Sequence, residues 1–305
     1  RDVLIVILTS PQFLFLIEES LGPESELIDS YELASKIAFF LWNAPPDRRL
    51  LDLARRNALH ESLDLEIDRM IDDPQFQRFT NAFVSQWLSL DKLDTVEIDR
   101  KQFPDLTRDA KSQLRLEPVR FVEHLIRENL PLRHLVRSDL LVANEVVATY
   151  YGLGDQIESG FGFQAIRHER PHLGGLLTQA GILAALSDGR EANPIKRGAW
   201  LARKIIAEPP ADPPPNVPEL SDEEAHLTLR ERLERHRNQE GCVKCHEGID
   251  PWGFPFEQFD AGGRFLSDPN HDASSVLPDE TEIMDLNHLK DYLSGERIDQ
   301  VAFSF

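Results

Sequence analysis

Ser30-Tyr31-Glu32-Leu33-Ala34-Ser35-Lys36-Ile37-Ala38-Phe39-Phe40-Leu41 decides the fold class of this chain. Tyr31, Ala34, Ile37, Ala38 and Leu41 recur at intervals of three and four, which puts them on one face of a helix. Ser30 stands where a capping hydroxyl belongs, and Pro45-Pro46 cannot continue the helix. The same period returns downstream. It runs through Leu50 to Arg56, through Leu63 to Ile71 with Met70 on the apolar side, and through the segment opened by Asp73-Pro74 that carries Phe76, Phe79, Phe83 and Trp87. Pro118 fits the first turn of a further helix through Phe121, Leu125 and Ile126. No stretch sustains period-two alternation, so little sheet is expected and the chain reads as mainly α. The aromatic residues read as core.

The 305 residues carry 53 Asp and Glu against 33 Lys and Arg, a formal net charge of -20. No basic patch can neutralise phosphates, so nucleic acid is excluded as a partner, and an anionic membrane surface is disfavoured. A basic redox partner protein would suit the charge. The apolar run from Val3 to Ile17 is interrupted by Pro11 and Gln12 and closed by Glu18 and Glu19. It reads as two packed helical pieces, neither a signal peptide nor a membrane span. Beginning at Arg1 without an initiator Met, the sequence is expected to be part of a longer polypeptide with further domains.

Gly152, Gly154, Gly160 and Gly162 mark a looser stretch, followed by His168-Glu169-Arg170-Pro171-His172, where Pro171 opposes a helix that would align the two imidazoles on a metal. Asn193-Pro194 reads as an N-cap with a first-turn proline. Pro209 to Pro215 reads as a polyproline spacer, and Ser221-Asp222-Glu223-Glu224 opens a charged helix to about His236.

Cys242-Val243-Lys244-Cys245-His246 then uses both cysteines of the chain. Random placement would give this pattern in about 2 of 10,000 arrangements. C-x-x-C-H is the attachment pattern of haem c, with Cys242 and Cys245 as covalent anchors and His246 as proximal ligand. Zinc would need to recruit from His236, His246 and His271 at spacings unlike common fingers, and a disulfide or inert pair is the third reading. Trp252, Phe254, Phe256, Phe259 and Phe265 supply a local aromatic pocket. Arg264 and the amides of Gly262 and Gly263 are candidate partners for propionates. The second N–H of His246 is expected to meet a backbone carbonyl near Pro251. On the far side of the iron, His236 and Met284 are the candidate distal ligands, with His271 and His288 weaker and an open position the alternative.

These motifs resemble a planctomycete-type multidomain cytochrome c family, in which a helical domain of unknown function precedes a cytochrome-like C-x-x-C-H domain. The helical domain is matched by Tyr31 to Ser35, Phe40-Leu41-Trp42, Asp73-Pro74, Gln86-Trp87-Leu88 and Tyr150-Tyr151-Gly152-Leu153. Gly175 to Gln179 and Pro194-Ile195-Lys196-Arg197-Gly198 match the lead-in to the second domain. Arg232-Leu233, His236-Arg237, the C-x-x-C-H, Ile249 to Phe254 and Glu257 to Arg264 match that domain itself. The resemblance raises His236 over Met284, because the family pattern includes a His-Arg pair before the first cysteine.

The expected organisation is the end of a preceding helical domain at 1–22, a helical domain at 23–155, and a connector at 156–220. A small cytochrome c-like monohaem domain follows at 221–285, then the start of a truncated C-terminal helical domain at 286–305. The expected function is periplasmic one-electron transfer by an exported protein carrying one covalent haem. The alternatives are a haem-dependent oxidoreductase with an open iron site, peroxidase-like or acting on an organic substrate, and a non-haem interaction module holding zinc or a disulfide.

Overall fold

The computed structural model describes residues 2–15, 27–211, 230–232, 246–267 and 272–305. The chain divides into two compact units, Arg1–Phe83 and Val84–Phe305.

The first unit holds α1 (Asp2–Leu8), α2 (Pro11–Leu14), α3 (Ser30–Trp42), α4 (Arg48–Arg55) and α5 (Leu63–Asp72). Asp29, not Ser30, caps α3: its carboxylate accepts from the Tyr31 amide at 2.8 Å, and Ser30 is already the first helical residue. The helix is accordingly rotated from the expected face. Leu33, Ala34, Ala38, Leu41 and Trp42 are buried, while Tyr31 is 47% exposed. The Trp42 indole N–H donates to the Met70 carbonyl at 2.9 Å, and Met70 is fully buried, as expected of a core residue. Asn43 ends the helix in a left-handed conformation, so the stop precedes Pro45-Pro46. The N-terminal run does form two helical pieces, but Val3 to Leu8 and Phe13 to Phe15 are exposed and not packed. Among the described residues no helix is long and apolar enough to cross a membrane.

The chain enters the second unit along α6 (Gln77–Leu88). Then follow α7 (Lys92–Thr95), α8 (Arg108–Arg127), β1 (Leu140–Ala143), α9 (Glu145–Tyr150), β2 (Gln164–Arg167), α10 (Ala180–Ala185) and α11 (Pro194–Lys204). Near the C-terminus lie α12 (Asp250–Gly253), β3 (Ser275–Val276), β4 (Glu282–Ile283), α13 (Leu286–Ser294) and α14 (Ile298–Ser304). The two short antiparallel ribbons are the sheet among the described residues, with Leu140 opposite Arg167 and Ser275 opposite Ile283. The protein is mainly α-helical, as the periodicity indicates.

Pro118 sits inside α8, not at its first turn. A proline there cannot donate to the Leu114 carbonyl one turn back. The vacated side of that carbonyl is where Gly181 of α10 packs, so closely that a methyl group on Gly181 would overlap it. The core around this crossing includes Leu114, Leu141, Val147, Tyr151, Leu173, Ala180 and Ala261.

The division at Phe83/Val84 falls within 23–155, and residues 84–155 pack with the later segments. Residues 286–305 also belong to the second unit, where Leu289, Lys290 and Leu293 are buried.

Candidate functional site

The described part of the C-x-x-C-H segment begins at His246; Cys242, Cys245, His236 and His271 lie outside the described residues. His246 is buried, and its Nδ1 lies 2.9 Å from Oδ1 of Asp250, four residues on and 2% exposed. A carboxylate oxygen is an acceptor, so Nδ1 carries the hydrogen and Nε2 becomes the lone-pair nitrogen. The expected carbonyl partner near Pro251 is therefore replaced by a side chain: the Pro251 carbonyl accepts from Ser275 Oγ at 2.8 Å. An imidazole whose outer nitrogen is tied to a buried carboxylate is oriented and made more basic toward a metal.

Two glycines place this pair. Asn193 caps α11, accepting from the Lys196 amide at 2.9 Å, and α11 packs directly on α12. A methyl group on Gly198 would overlap the Ile249 carbonyl, and one on Gly253 would overlap the Pro194 carbonyl. The two backbones meet without side chains between them, which seats Asp250 under His246. Sequence reading singled out Gly198 within a motif without seeing this reason, and did not find Asp250 as a partner. Its spacing from His246, one helical turn, was the available signal.

Arg197 is the second residue whose role the sequence concealed. It is fully buried, and Nη1 donates to the carbonyls of Phe256 (3.0 Å) and Phe259 (2.7 Å). Nη2 donates to the carbonyls of Asp260 (2.6 Å) and Leu183 (3.3 Å). Burial pushes its pKa down to about 9, with Asp260 opposing, so it remains a cation at neutral pH. This one side chain holds the turn on which Phe256 and Phe259 sit, both buried.

The predicted aromatic residues behave differently from one another. Trp252, Phe256 and Phe259 are buried, and Phe259 meets Phe265 edge to face at 5.6 Å. Phe254 is half-buried under the Arg230 guanidinium, 4.3 Å from the ring centre. Beside it Glu257 faces Arg230 at 3.8 Å, and burial raises its pKa to about 7 against the opposing Arg230 charge. Arg264 is engaged elsewhere: its guanidinium stacks over Tyr150 at 4.3 Å and pairs with Asp105 at 2.9 Å. The Gly263 amide donates to the Asp260 carbonyl, and the Gly262 carbonyl accepts from Tyr150 Oη at 2.8 Å. Met284 is 75% exposed on the connection into α13, which sets it apart from the buried His246.

The donor set fits a haem iron at His246, which the Asp250 contact orients as a ligand, and the buried rings fit an apolar surround. Haem, when bound, supplies one-electron redox chemistry at its iron. Among the described residues no group of three or more His, Cys, Asp or Glu side chains is assembled for a metal ion.

Residues 28–153 match the family model of PSD4, a protein of unknown function (DUF1592). Residues 173–268 match that of PSCyt3, a protein of unknown function (DUF1588), a span that contains His246, Asp250 and the aromatic turn. No curated protein and no solved structure matches this chain significantly. Both matched families are planctomycete cytochrome-like domain families, and their order here is the order of the sequence motifs. The spans 28–153 and 173–268 thus belong to two planctomycete cytochrome-like domain families, in tandem.

Proposed function

We propose that this protein carries one haem c on Cys242 and Cys245, with His246 as proximal ligand, and that it transfers single electrons in the periplasm. The observation that supports this most is the His246–Asp250 pair directly after the two cysteines. A buried carboxylate on the outer nitrogen is what a metal-bound imidazole needs and what a surface histidine would lack. His236 is the distal ligand in this reading, since Met284 is turned to solvent. Attachment of haem to C-x-x-C-H takes place outside the bacterial cytoplasm, so the protein is exported, and its net charge of -20 suits a basic redox partner.

The Asp250 contact also favours a second reading. A more basic proximal ligand stabilises oxidised iron, as a haem oxidoreductase with an open sixth position requires. Expression with a cytochrome c maturation system separates the readings. Haem that stays on the chain in a denaturing gel, and is lost in Cys242→Ser and Cys245→Ser, supports attachment; absence of covalent haem would defeat both. A reduced spectrum unmoved by carbon monoxide supports electron transfer, whereas a shifted one supports the oxidoreductase.

A further inference from the structure

A cleft lies beside α13 and the loop before α10, lined in part by the His168-Glu169-Arg170-Pro171 stretch and apart from His246 and the aromatic turn. Arg133, Arg137, His168, Arg170 and Lys290 line an open cleft of about 440 Å³, the size of a small-molecule site. Lys290 is 1% exposed, yet its Nζ donates to the Leu173 carbonyl at 2.9 Å and meets no carboxylate within ion-pair distance among the described residues. His168 is 91% buried, and neither ring nitrogen makes a hydrogen bond of good geometry. Arg133, exposed at the rim, makes no ion pair among the described residues.

Two of the three acidic groups nearby are committed to ion pairs. Asp139 pairs with Arg167, and Asp291 pairs with Arg137 at 2.5 Å. Arg170 is spent on the carbonyls of Tyr151 and Gly152. Glu169 is the remaining carboxylate of the cleft wall. Burial pushes Lys290 down to about 7, with Arg137 adding to the shift and Asp291 opposing it, and the same burial lowers His168, to which Lys290 adds. Burial is the main cause of both shifts, and the neighbouring cations add to it.

The wall is also built to hold this geometry. Gly174 and Gly175 have φ of 86° and 83°, and a methyl group on either would overlap the Ser138 or the Val136 carbonyl. These left-handed glycines press the loop of His168 against the turn that carries Arg133. A buried cation without a counter-charge is costly, and in a chain with 20 excess negative charges a carboxylate would be the ordinary remedy. A purely structural Lys290, capping the Leu173 carbonyl, would explain one of its three donors and nothing about His168 or Arg133.

We propose that this cleft binds a small oxyanion, the carboxylate or phosphate group of a small molecule, between Lys290, His168 and Arg133. The inference is independent of haem attachment. Its test is calorimetric titration of the full chain with inorganic phosphate and, separately, with malonate, at constant ionic strength set by sodium chloride. The expected result is saturable binding of one anion per chain, weakened at least tenfold in Arg133→Ala, whose exposed position preserves the fold, and in Lys290→Met. The stronger of the two anions identifies the group recognised. No saturable binding of either anion, or binding that Arg133→Ala leaves unchanged, overturns the proposal, and Arg133→Ala decides the matter even if Lys290→Met does not fold.

Discussion

Replacing Glu117 with Gln should change how stability depends on pH, by an amount the structure fixes. Glu117 lies on α8, fully buried, with Oε2 accepting from Tyr151 Oη at 2.7 Å, while that hydroxyl accepts from the Ala180 amide. Oε1 is buried without a partner. Burial raises the carboxyl from 4.5 to about 8, only partly offset by the Tyr151 hydrogen bond, so it is protonated when folded at neutral pH. Because the folded value lies above the unfolded one, the folded state binds the extra proton between pH 4.5 and 8, and stability falls as pH rises through that window. From pH 5 to pH 7 the unfolded carboxyl ionises while the folded one does not, which costs about 2.5 kcal/mol. Gln keeps the acceptor for Tyr151 and cannot ionise. The wild type should therefore lose about 2.5 kcal/mol more than Glu117→Gln over that interval, or roughly 5–10 °C in Tm. Urea denaturation of both proteins at pH 5 and pH 7 measures the difference, and Glu257 and the histidines cancel because both proteins carry them. Parallel loss of stability in the two proteins would refute the buried, protonated state of Glu117.

Asp250→Asn keeps the size of the side chain and removes the negative charge behind His246; a tenfold loss of preference for oxidised iron corresponds to a rise of about 60 mV in midpoint potential. Redox titration of the haem-loaded variant checks this, and an unchanged potential would mean that the pair does not tune a bound iron. Arg197→Met removes a donor from the carbonyls of Phe256, Asp260 and Leu183, which keep a backbone donor, and from that of Phe259, and should cost at least about 3 kcal/mol by denaturation. Gly198→Ala places a methyl group against the Ile249 carbonyl, where backbone cannot yield, and should cost about 1–3 kcal/mol or more; a neutral result would show that α11 and α12 are less tightly apposed. Lys290 has a folded value near 7 against an ordinary 10.5, so its protonated form is favoured on unfolding and stability rises from pH 7 to pH 10 by about 3 kcal/mol. Lys290→Met should flatten that rise in urea midpoints taken at the two pH values.

How much of this was legible in the sequence depends on whether the determinant was local. Helical class followed from period alone, and the Asn193 cap from a residue next to its own helix. Asp29 displaced Ser30 as the cap of α3 because two adjacent residues both carry a capping oxygen, and local pattern does not choose between them. Pro118 was misplaced because the helix begins ten residues earlier, at Arg108, and the local pattern around a proline does not tell a first turn from an interior one. The site divides in the same way. His246 and the buried rings of Trp252, Phe256 and Phe259 were found because they adjoin the motif. The engagement of Arg264 with Asp105 and Tyr150 was invisible, since its partners lie more than 100 residues upstream. The helical reading of 286–305 was correct, but its packing beside Leu173 could not be read from a twenty-residue segment.

The two family matches end and begin either side of residues 154–172, yet residues of both meet within the second unit. Tyr150 and Tyr151, in the first match, bind the Gly262 carbonyl and the Ala180 amide, in the second. Gly263 packs on the Ala180 backbone with no room for a methyl group. The Tyr150-Tyr151 motif thus acts as a docking element for the Gly262-Gly263-Arg264 turn. The intervening stretch is also structural. His172 stacks on Phe265 at 4.2 Å, and Phe265 contacts Phe259 on the aromatic turn after His246. The loop from His168 to Leu173 therefore forms a wall of the cationic cleft and touches the aromatic turn.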